Sequence, residues 1–453
     1  MKQTFSDMRI TVIGAGQTGL ALVRFLIERG ATVTLSDRRP AEQIDGLDRL
    51  QGLPVHLDLG GHSPDCFARA DLIAVSPGVP LSSEPLQHAI RHNVPLLGEI
   101  ELAARECRAP ILAVTGTNGK STTTSLIGEI FQQWGKRIFV GGNLGTPLVE
   151  ACAAQDWDYL AVELSSFQLE TIDRFCPRYG LLLNLSEDHL DRYPDLDSYF
   201  AAKKRLFENM GPQQVAVLNA DDQRVVQLVS DVSCRRVFFS GSAHLNEGMA
   251  RHGDELVWRW QGEETRFALA ELQLKGAHNI ENVMAAMIPA LLEGCPAQVA
   301  WQAVCSFRGL QHRMNLVREL DGVCWYNDSK GTNVGSVLKS LAGLAAPVTL
   351  IAGGKDKGGA YGLLRPQLEA RVTDLILLGE AAPRMERELA GATRIHRVAD
   401  LREAVQLARQ VTPANGAVLL SPACSSFDMF ENFARRGEEF CRLVLQLDQE
   451  QAQ

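Results

Sequence analysis

No stretch of this 453-residue chain reaches the roughly 18 consecutive apolar residues needed to cross a bilayer. The opening residues Met1-Lys2-Gln3-Thr4-Phe5-Ser6-Asp7 lack the apolar core of a signal peptide. Both absences point to a cytoplasmic protein without a membrane partner. Cysteine pairs at CxxC spacing are also missing. The ten cysteines (66, 107, 152, 176, 234, 295, 305, 324, 424 and 441) are scattered, which argues against a zinc site or a secreted disulfide framework and for reduced thiols. Positive charge is short as well: 45 Lys and Arg face 54 Asp and Glu, a net charge of −9. Nonspecific nucleic-acid binding needs the opposite balance to displace counterions. There is no internal repeat and no low-complexity tract. Apolar residues at 45% and charged residues at 22% belong to an ordinary globular protein, so disorder, collagen and coiled coil are excluded as its main character.

What is present is a strand–helix alternation in three blocks. Apolar runs at 9–13, 31–36 and 72–75 predict buried strands, and 20–29 predicts the helix after the first. A second block opens with strands at 111–114 and 159–162 and ends on an amphipathic helix at 279–292. A third carries strands at 323–326, 348–352, 374–378 and 417–420. At about 150 residues per domain, the length agrees with three domains. We place them at 1–98, 99–309 and 310–453. The expected class is α/β with parallel sheets: a Rossmann-like first domain, a central ATPase-like domain with a phosphate loop, and a Rossmann-like last domain. Ligands in such sheets lie beyond the carboxyl ends of the strands, and the polar motifs fall there.

Thr115-Gly116-Thr117-Asn118-Gly119-Lys120-Ser121-Thr122 follows a strand and opens a helix over 123–134. Glycines let backbone N–H groups approach phosphate oxygens, the helix N-terminus attracts negative charge, Lys120 neutralises it, and the Ser121 hydroxyl suits Mg²⁺. The first glycine of the full Walker pattern is replaced by Val114. Glu163 ends the strand 159–162, a position for a Mg²⁺ ligand or a solvated carboxylate. His189 follows another strand, in Leu183-Asn184-Leu185-Ser186-Glu187-Asp188-His189. Lys203 interrupts an apolar helical stripe of Leu196, Tyr199, Phe200, Leu206, Phe207 and Met210. A buried lysine needs a partner or a lost charge, unless it snorkels to solvent.

Gly14-Ala15-Gly16-Gln17-Thr18-Gly19 with Asp37 downstream is a dinucleotide fingerprint. Alone it describes a nicotinamide-dependent dehydrogenase, but that enzyme has no use for a second nucleotide loop at 115–122. One energy source and one nucleotide-tagged substrate account for both loops. Arg38 and Arg39 stand beside Asp37, either reaching a nucleotide or solvated. In the third block, Gly309-Leu310-Gln311-His312-Arg313 and Asn327-Asp328-Ser329-Lys330-Gly331-Thr332-Asn333 flank the first strand. Ser421-Pro422-Ala423-Cys424-Ser425-Ser426-Phe427-Asp428 caps the last. Arg313 has the character of an arginine finger; the other groups are ligand-binding or plain turn chemistry.

Taken together, these motifs resemble the Mur ligase family of cell-wall synthesis over essentially the whole chain. The more specific ones are 163–170 (Glu-Leu-Ser-Ser-Phe-Gln-Leu-Glu), 188–193 (Asp-His-Leu-Asp-Arg-Tyr), His312-Arg313, 327–330 and 421–428, and they are most similar to the members that add D-glutamate. The resemblance implies an ATP-dependent ligase that joins D-glutamate to UDP-N-acetylmuramoyl-L-alanine through an acyl phosphate, acting as a monomer with no nucleic-acid partner. It implies that Gln17, Thr18, Asp37, Arg38 and Ser76, with Asn143 and Ser165, hold the UDP-substrate. ATP falls to Gly116, Thr117, Asn118, Gly119, Lys120, Ser121 and Thr122, with Asn279 and Asn282 toward the adenine and Arg313 and Asp328 from the third block. Thr332, Lys357, Ser426 and Phe427 take the amino acid. Ser121 and Glu163 look like ligands of one Mg²⁺, and His189 and a carbamylated Lys203 like ligands of a second. Lys120, His189, Lys203, Arg313 and Lys330 are the implied catalytic set. Two positions depart from the family pattern: Gly331, where alanine is commoner, and Lys355, where aspartate often stands. Folylpolyglutamate synthetase, an L-glutamate-adding ligase and a noncatalytic nucleotide-binding regulator stay open as alternatives.

Overall fold

A computed structural model describes residues 5–447 except 155, 191, 275 and 346. Asp191 of the 188–193 motif and the first four residues therefore lie outside the described residues. Three sheets follow one another along the chain. The first holds β1 (Arg9–Ile13), β2 (Thr32–Asp37), β3 (Val55–Leu59), β4 (Leu72–Val75) and β5 (Leu96–Gly98), all parallel, in the order β3-β2-β1-β4-β5. Order reverses at β1, whose exit loop carries the glycine fingerprint. A Cβ at Gly19 would stand 1.8 Å from the Gly14 carbonyl oxygen, so only glycine lets the helix Gln17–Ile27 begin that close to the turn.

The second sheet begins with β6 (Ile111–Thr115), β7 (Ile138–Gly142), β8 (Tyr159–Glu163), β9 (Tyr179–Leu182) and β10 (Val215–Asn219). It continues through β11 (Arg235–Ser240), β12 (Gly248–His252), β13 (Glu255–Trp260) and β14 (Glu263–Ala268). The order is β14-β13-β12-β11-β10-β9-β6-β8-β7. β6 sits between β9 and β8, so its loop opens at a switch point as well. Every residue of β6 is buried, the continuous apolar run expected of a strand covered on both faces. β12, β13 and β14 pair antiparallel, which the expectation of parallel sheets did not include. Short turns at Gly253 and Gly262, both with positive φ, fold this meander. Trp258 and Trp260 stack on it with centroids 5.3 Å apart.

The third sheet comprises β15 (Asn315–Leu320), β16 (Val323–Asn327), β17 (Val348–Gly353), β18 (Val372–Leu378), β19 (Arg394–Arg397) and β20 (Ala417–Leu420), in the order β15-β16-β20-β17-β18-β19. Only β15 runs antiparallel to its neighbour. Two apolar clusters cover its faces, one including Val337, Leu341 and Leu368, the other Leu401, Val405, Phe440 and Val444. The first two sheets belong to one compact unit. The third belongs to another, which also takes in residues 186–196 and 273–279. No helix among the described residues is long and apolar enough to cross a membrane.

Between the first two sheets, the helix Glu99–Glu106 carries a fully buried carboxylate. Glu101 Oε2 accepts from the backbone N–H groups of Asp173, Arg174 and Phe175 at 2.8, 3.0 and 2.9 Å, and Oε1 accepts from Arg105 Nε at 2.5 Å. One side chain thus satisfies three backbone donors, one buried and two partly buried, of a loop that has no strand to pair with. Glu101→Ala strands all three, and we expect a loss of roughly 3 kcal/mol or more in urea unfolding, since each unsatisfied buried donor costs about 1–3 kcal/mol. A loss below about 1 kcal/mol would show that water replaces the carboxylate there.

Candidate active site

The loop after β6 is built to present backbone amides. Gly116 and Gly119 adopt φ of 143° and 89°, and Gly119 immediately precedes the helix Lys120–Gln133. Asn184, just beyond β9, grips the loop from the side. Its carbonyl oxygen accepts from Thr117 N at 3.0 Å, its Oδ1 accepts from Asn118 N at 2.9 Å, and its Nδ2 donates to the Asn118 carbonyl at 2.9 Å. Lys120 folds over the same loop, its Nζ 2.9 Å from the Gly116 carbonyl and 2.8 Å from that of Thr117. Asn282, on the helix Ala277–Leu292, accepts from Thr123 Oγ1 at 3.3 Å, and a Cβ on Gly119 would meet its Oδ1 at 2.2 Å. The structure therefore brings Asn282 against the phosphate loop itself.

Lys203 is 1% exposed, and its Nζ donates to the Gly116 carbonyl at 2.9 Å while lying 4.7 Å from the Tyr199 ring centroid. It does not snorkel. The stripe residues Tyr199, Phe200, Leu206, Phe207 and Met210 are buried with it. The α-helix Leu196–Lys204 gives way to a tighter 3₁₀ turn at Arg205–Phe207 within the stripe. Glu163 ends β8 at 1% exposure, and its Oε1 accepts from Asn143 Nδ2 at 2.6 Å. Ser121 lies in the first turn of the loop's helix at 2% exposure. The structure thus gathers Gly116, Lys120 and Lys203 directly, and sets Glu163 at the end of a strand adjoining β6.

At the mouth of the first sheet, Asp37 Oδ2 accepts from Ala15 N at 2.7 Å and from Arg39 Nη2 at 2.8 Å, while Oδ1 accepts from Arg39 Nε at 3.0 Å. Burial pushes this carboxyl up, but the Arg39 guanidinium and the two backbone N–H groups outweigh it and hold it at about 2. Asp37 thereby fixes Arg39, while Arg38 is exposed. Ser76 Oγ donates to the Gly14 carbonyl at 2.9 Å, Gln17 is exposed and Thr18 half-buried. Ser165 caps the short helix Ser166–Leu169 in a reciprocal box with Gln168, so its hydroxyl is engaged locally.

In the unit of the third sheet, Asp188 Oδ1 accepts from Lys357 Nζ at 2.9 Å and Oδ2 from Asn333 Nδ2 at 3.0 Å. His189 beside it takes φ of 57°, and His312, Met314 and Ala423 are likewise left-handed, at 61°, 49° and 60°. Such strain in non-glycine residues gathers at functional loops. Asp328 Oδ2 accepts from Ser340 and Ser421 hydroxyls, both at 2.7 Å, yet burial outweighs these bonds and raises its carboxyl to about 6. Burial, helped by the charges of Lys339 and Arg313, drives His278 down to about 4, so it is neutral at pH 7 beside Asn279. Lys330 Nζ sits 3.8 Å from the Phe433 ring centroid, Thr332 is half-buried, Ser426 is buried and Phe427 is 69% exposed. A Cβ on Gly331 would meet Ser421 Oγ at 2.5 Å and Asp328 Oδ2 at 2.6 Å, so glycine is what this Asp328–Ser421 pair admits.

Sequence reasoning missed two organisers. Asn184 was read only as part of a polar cluster. Arg436, on the helix Phe433–Gln446, is 3% exposed and donates to the carbonyls of Ser329, Cys424 and Ser425 and to Ser329 Oγ at 2.9–3.3 Å. Nothing in a single sequence distinguishes either from a solvated side chain. Among the described residues no group of three or more His, Cys, Asp or Glu is placed to hold a metal alone. The buried oxygens of Ser121 and Glu163 nevertheless suit Mg²⁺, which keeps waters and phosphate oxygens and asks the protein for one or two donors.

Comparison with known proteins places these lobes. The "Mur ligase MurD-like, N-terminal domain" matches residues 8–98, the "Mur ligase middle domain" 114–290, and the "Mur ligase, glutamate ligase domain" 312–424. The UDP-N-acetylmuramoylalanine–D-glutamate ligase of Syntrophotalea carbinolica is 59% identical over 97% of this chain and 98% of its own. That of Geotalea daltonii is 50% identical over 95% and 96%. In fold, the chain is similar to the UDP-N-acetylmuramate–alanine ligase MurC of Thermotoga maritima, with TM-score 0.63 and 19% identity over 97% and 99% of the two chains. It is also similar to MurF ligase of the same organism in complex with ADP, with TM-score 0.61 and 13% identity over the full length of both.

The raised carboxyl of Asp328 has a measurable consequence. Its folded value of about 6 exceeds the ordinary 3.8 of an aspartate, so its contribution to stability is complete below pH 4 and is lost as pH rises through 6. Between pH 4 and pH 7 that loss is on the order of 3 kcal/mol. Urea unfolding of Asp328→Asn at both pH values is expected to lack this component; an unchanged pH slope would assign it elsewhere.

Proposed function

The chain belongs to the Mur ligase family, and from that premise we infer that it is an ATP-dependent ligase joining D-glutamate to UDP-N-acetylmuramoyl-L-alanine in peptidoglycan precursor synthesis. The observation that carries this reading is the 59% identity to such a ligase along nearly the whole of both chains. The glycine loop gripped by Asn184 supplies the physical means. Three lobes divided near 98 and 309 share the work: the first for the UDP-substrate, the middle for ATP, the last for the amino acid. We assign the protein to the cytoplasm and take it to act as a monomer.

A carboxylate is too poor an electrophile for an amine at neutral pH, so the reaction needs activation. The free carboxylate of the alanyl group attacks the γ-phosphorus of ATP; ADP leaves and an acyl phosphate forms. The amine of D-glutamate then attacks the acyl carbon, phosphate departs, and the amide remains. The amides at 116–119 and the helix N-terminus at Lys120 receive phosphate oxygens. Lys120 exchanges the Gly116 and Thr117 carbonyls for the transferring phosphoryl group, whose charge it neutralises. Thr122 and Asn118 complete the loop, with Asn279 and Asn282 serving the nucleotide from the helix 277–292. Ser121 and Glu163 would hold one Mg²⁺, and His189 with Lys203 a second. Bound there, the ions supply charge neutralisation at the phosphoryl group. As an amine, Lys203 is a donor and no metal ligand; carbamylation turns it into an anion with two oxygen donors, which relieves the cost of a buried ammonium. Arg313, Lys330 and Asp328 act on ATP and the transferring group from the last lobe. Thr332, Lys357, Ser426 and Phe427 receive D-glutamate. His189 or a neighbouring carboxylate takes the amine proton. In the first lobe Gln17, Thr18, Arg38 and Ser76 contact the UDP part and Asp37 holds Arg39 toward it, with Asn143 and Ser165 along the rest of the substrate.

Two measurements test this. Phosphate release with ATP, Mg²⁺ and UDP-N-acetylmuramoyl-L-alanine is expected with D-glutamate and at least tenfold less with L-glutamate or other amino acids; a preference for another amino acid would overturn the assignment. Lys203→Ala is expected to lose at least a hundredfold in kcat and to recover part of it with added formate or acetate, whose carboxylate replaces the carbamate. Near-normal turnover without rescue would remove Lys203 from the chemistry.

A further inference from the structure

Away from the phosphate loop, the amino ends of β6, β9 and β10 border a cavity of about 380 Å³. Arg105, Arg108, Arg174 and Arg178 line it, and Cys107 opens into it. Glu101 lines it too, and three of the arginines are paired, Arg105 with Glu101 and Asp173, Arg174 with Asp173 and Arg178 with Glu293, so the opening is polar and open to water. Behind Cys107 lies a second thiol. Cys107 Sγ stands 3.2 Å from Cys152 Sγ, across 45 residues of sequence. Cys107 ends the helix Glu99–Glu106 and Cys152 belongs to the 3₁₀ helix Leu148–Ala153. These segments are already held together by the Glu99 carboxylate, whose Oε1 accepts from Val149 N at 2.7 Å. Cys107 is partly exposed and Cys152 buried. The pair therefore combines an accessible sulfur with a covered one at contact distance, the arrangement of an attacking and a resolving thiol. The hydrogen bond between the two sulfurs holds the Cys107 thiol below its ordinary range, against the opposing effect of burial, and pushes Cys152 up.

We propose that Cys107 and Cys152 form a reversible dithiol–disulfide site, oxidised by hydrogen peroxide that enters through the arginine-lined cavity. The Cys107 thiolate attacks one peroxide oxygen, the O–O bond breaks, and the other oxygen leaves as water after taking a proton, giving a sulfenic acid. The Cys152 sulfur then attacks the Cys107 sulfur; the S–O bond breaks, a second water leaves with the Cys152 proton, and the disulfide forms. Two thiols lose two electrons and two protons to one peroxide, giving two waters. The bond staples the end of the helix that follows the first sheet to the 3₁₀ segment of the second. A reducing dithiol reverses it. Cys176 lines the same cavity and is more exposed, but its Sγ donates to the Asn209 carbonyl at 3.2 Å and not to a thiol, so it serves as an internal control.

The test treats the protein with one molar equivalent of peroxide, blocks thiols with iodoacetamide and maps peptides by mass spectrometry. The expected result is a cross-linked species joining the Cys107 and Cys152 peptides, 2 Da below the sum of the free peptides, with the ten thiols of the chain falling to eight on titration in denaturant. Dithiothreitol should restore ten. Cys176→Ser should still form the link, and Cys107→Ser and Cys152→Ser, whose folding is checked by circular dichroism, should not. Alkylation of both Cys107 and Cys152 after peroxide, a link that survives in Cys107→Ser, or oxidation confined to Cys176 would each overturn the proposal.

Discussion

The phosphate loop depends on one carbonyl. Gly116 O is reached by both Lys120 and Lys203, at 2.9 Å each, and the segment that bears it is clasped by Asn184 from the neighbouring strand. A loop that aims its amides at a ligand leaves its carbonyls pointing back into the protein, where they must find donors. Here the donors are two lysine side chains, Lys120 from the loop's own helix and Lys203 from the helix Leu196–Lys204. The loop's shape is thereby fixed from two sides. The strand order around β6 makes room for this, since strands lead away from it on both sides and leave a crevice at its carboxyl end.

Much of this was legible in the sequence. Residue 115 to 122 carries its own chemistry because glycine, lysine and serine at that spacing have few other uses between a strand and a helix. Lys203 was legible as an exception: a charge on an apolar stripe signals either a functional site or an escape to solvent, and the structure shows full burial. The strands read as apolar runs are present to within a residue or two. The β12–β14 meander was not read, because its alternation is diluted by Arg251, Arg259 and the two tryptophans, and because an antiparallel hairpin at the end of a parallel sheet has no counterpart in the alternating βα pattern. Asn184 and Arg436 were illegible in function for a different reason. Their roles work mainly through backbone groups of distant segments, and backbone groups have no sequence signature.

Electrostatics divide the molecule into unlike environments. At the first sheet a carboxylate is held ionised by a guanidinium and serves to aim it. In the third lobe burial outweighs the bonds of Asp328 to the Ser421 and Ser340 hydroxyls and the Met314 backbone and pushes it the other way, and His278 is kept neutral by burial and neighbouring cations. Near neutral pH Asp328 is therefore ionised at a cost and His278 adds no positive charge, while Lys357 is already matched by Asp188 at 2.9 Å.

Arg436 ties the turn after β16 to the turn after β20 through their carbonyl oxygens. A guanidinium is rigid and planar, so its donors cannot follow one turn without leaving the other. The two loops therefore shift together or stay put together, and a variant that loosens one is expected to loosen both.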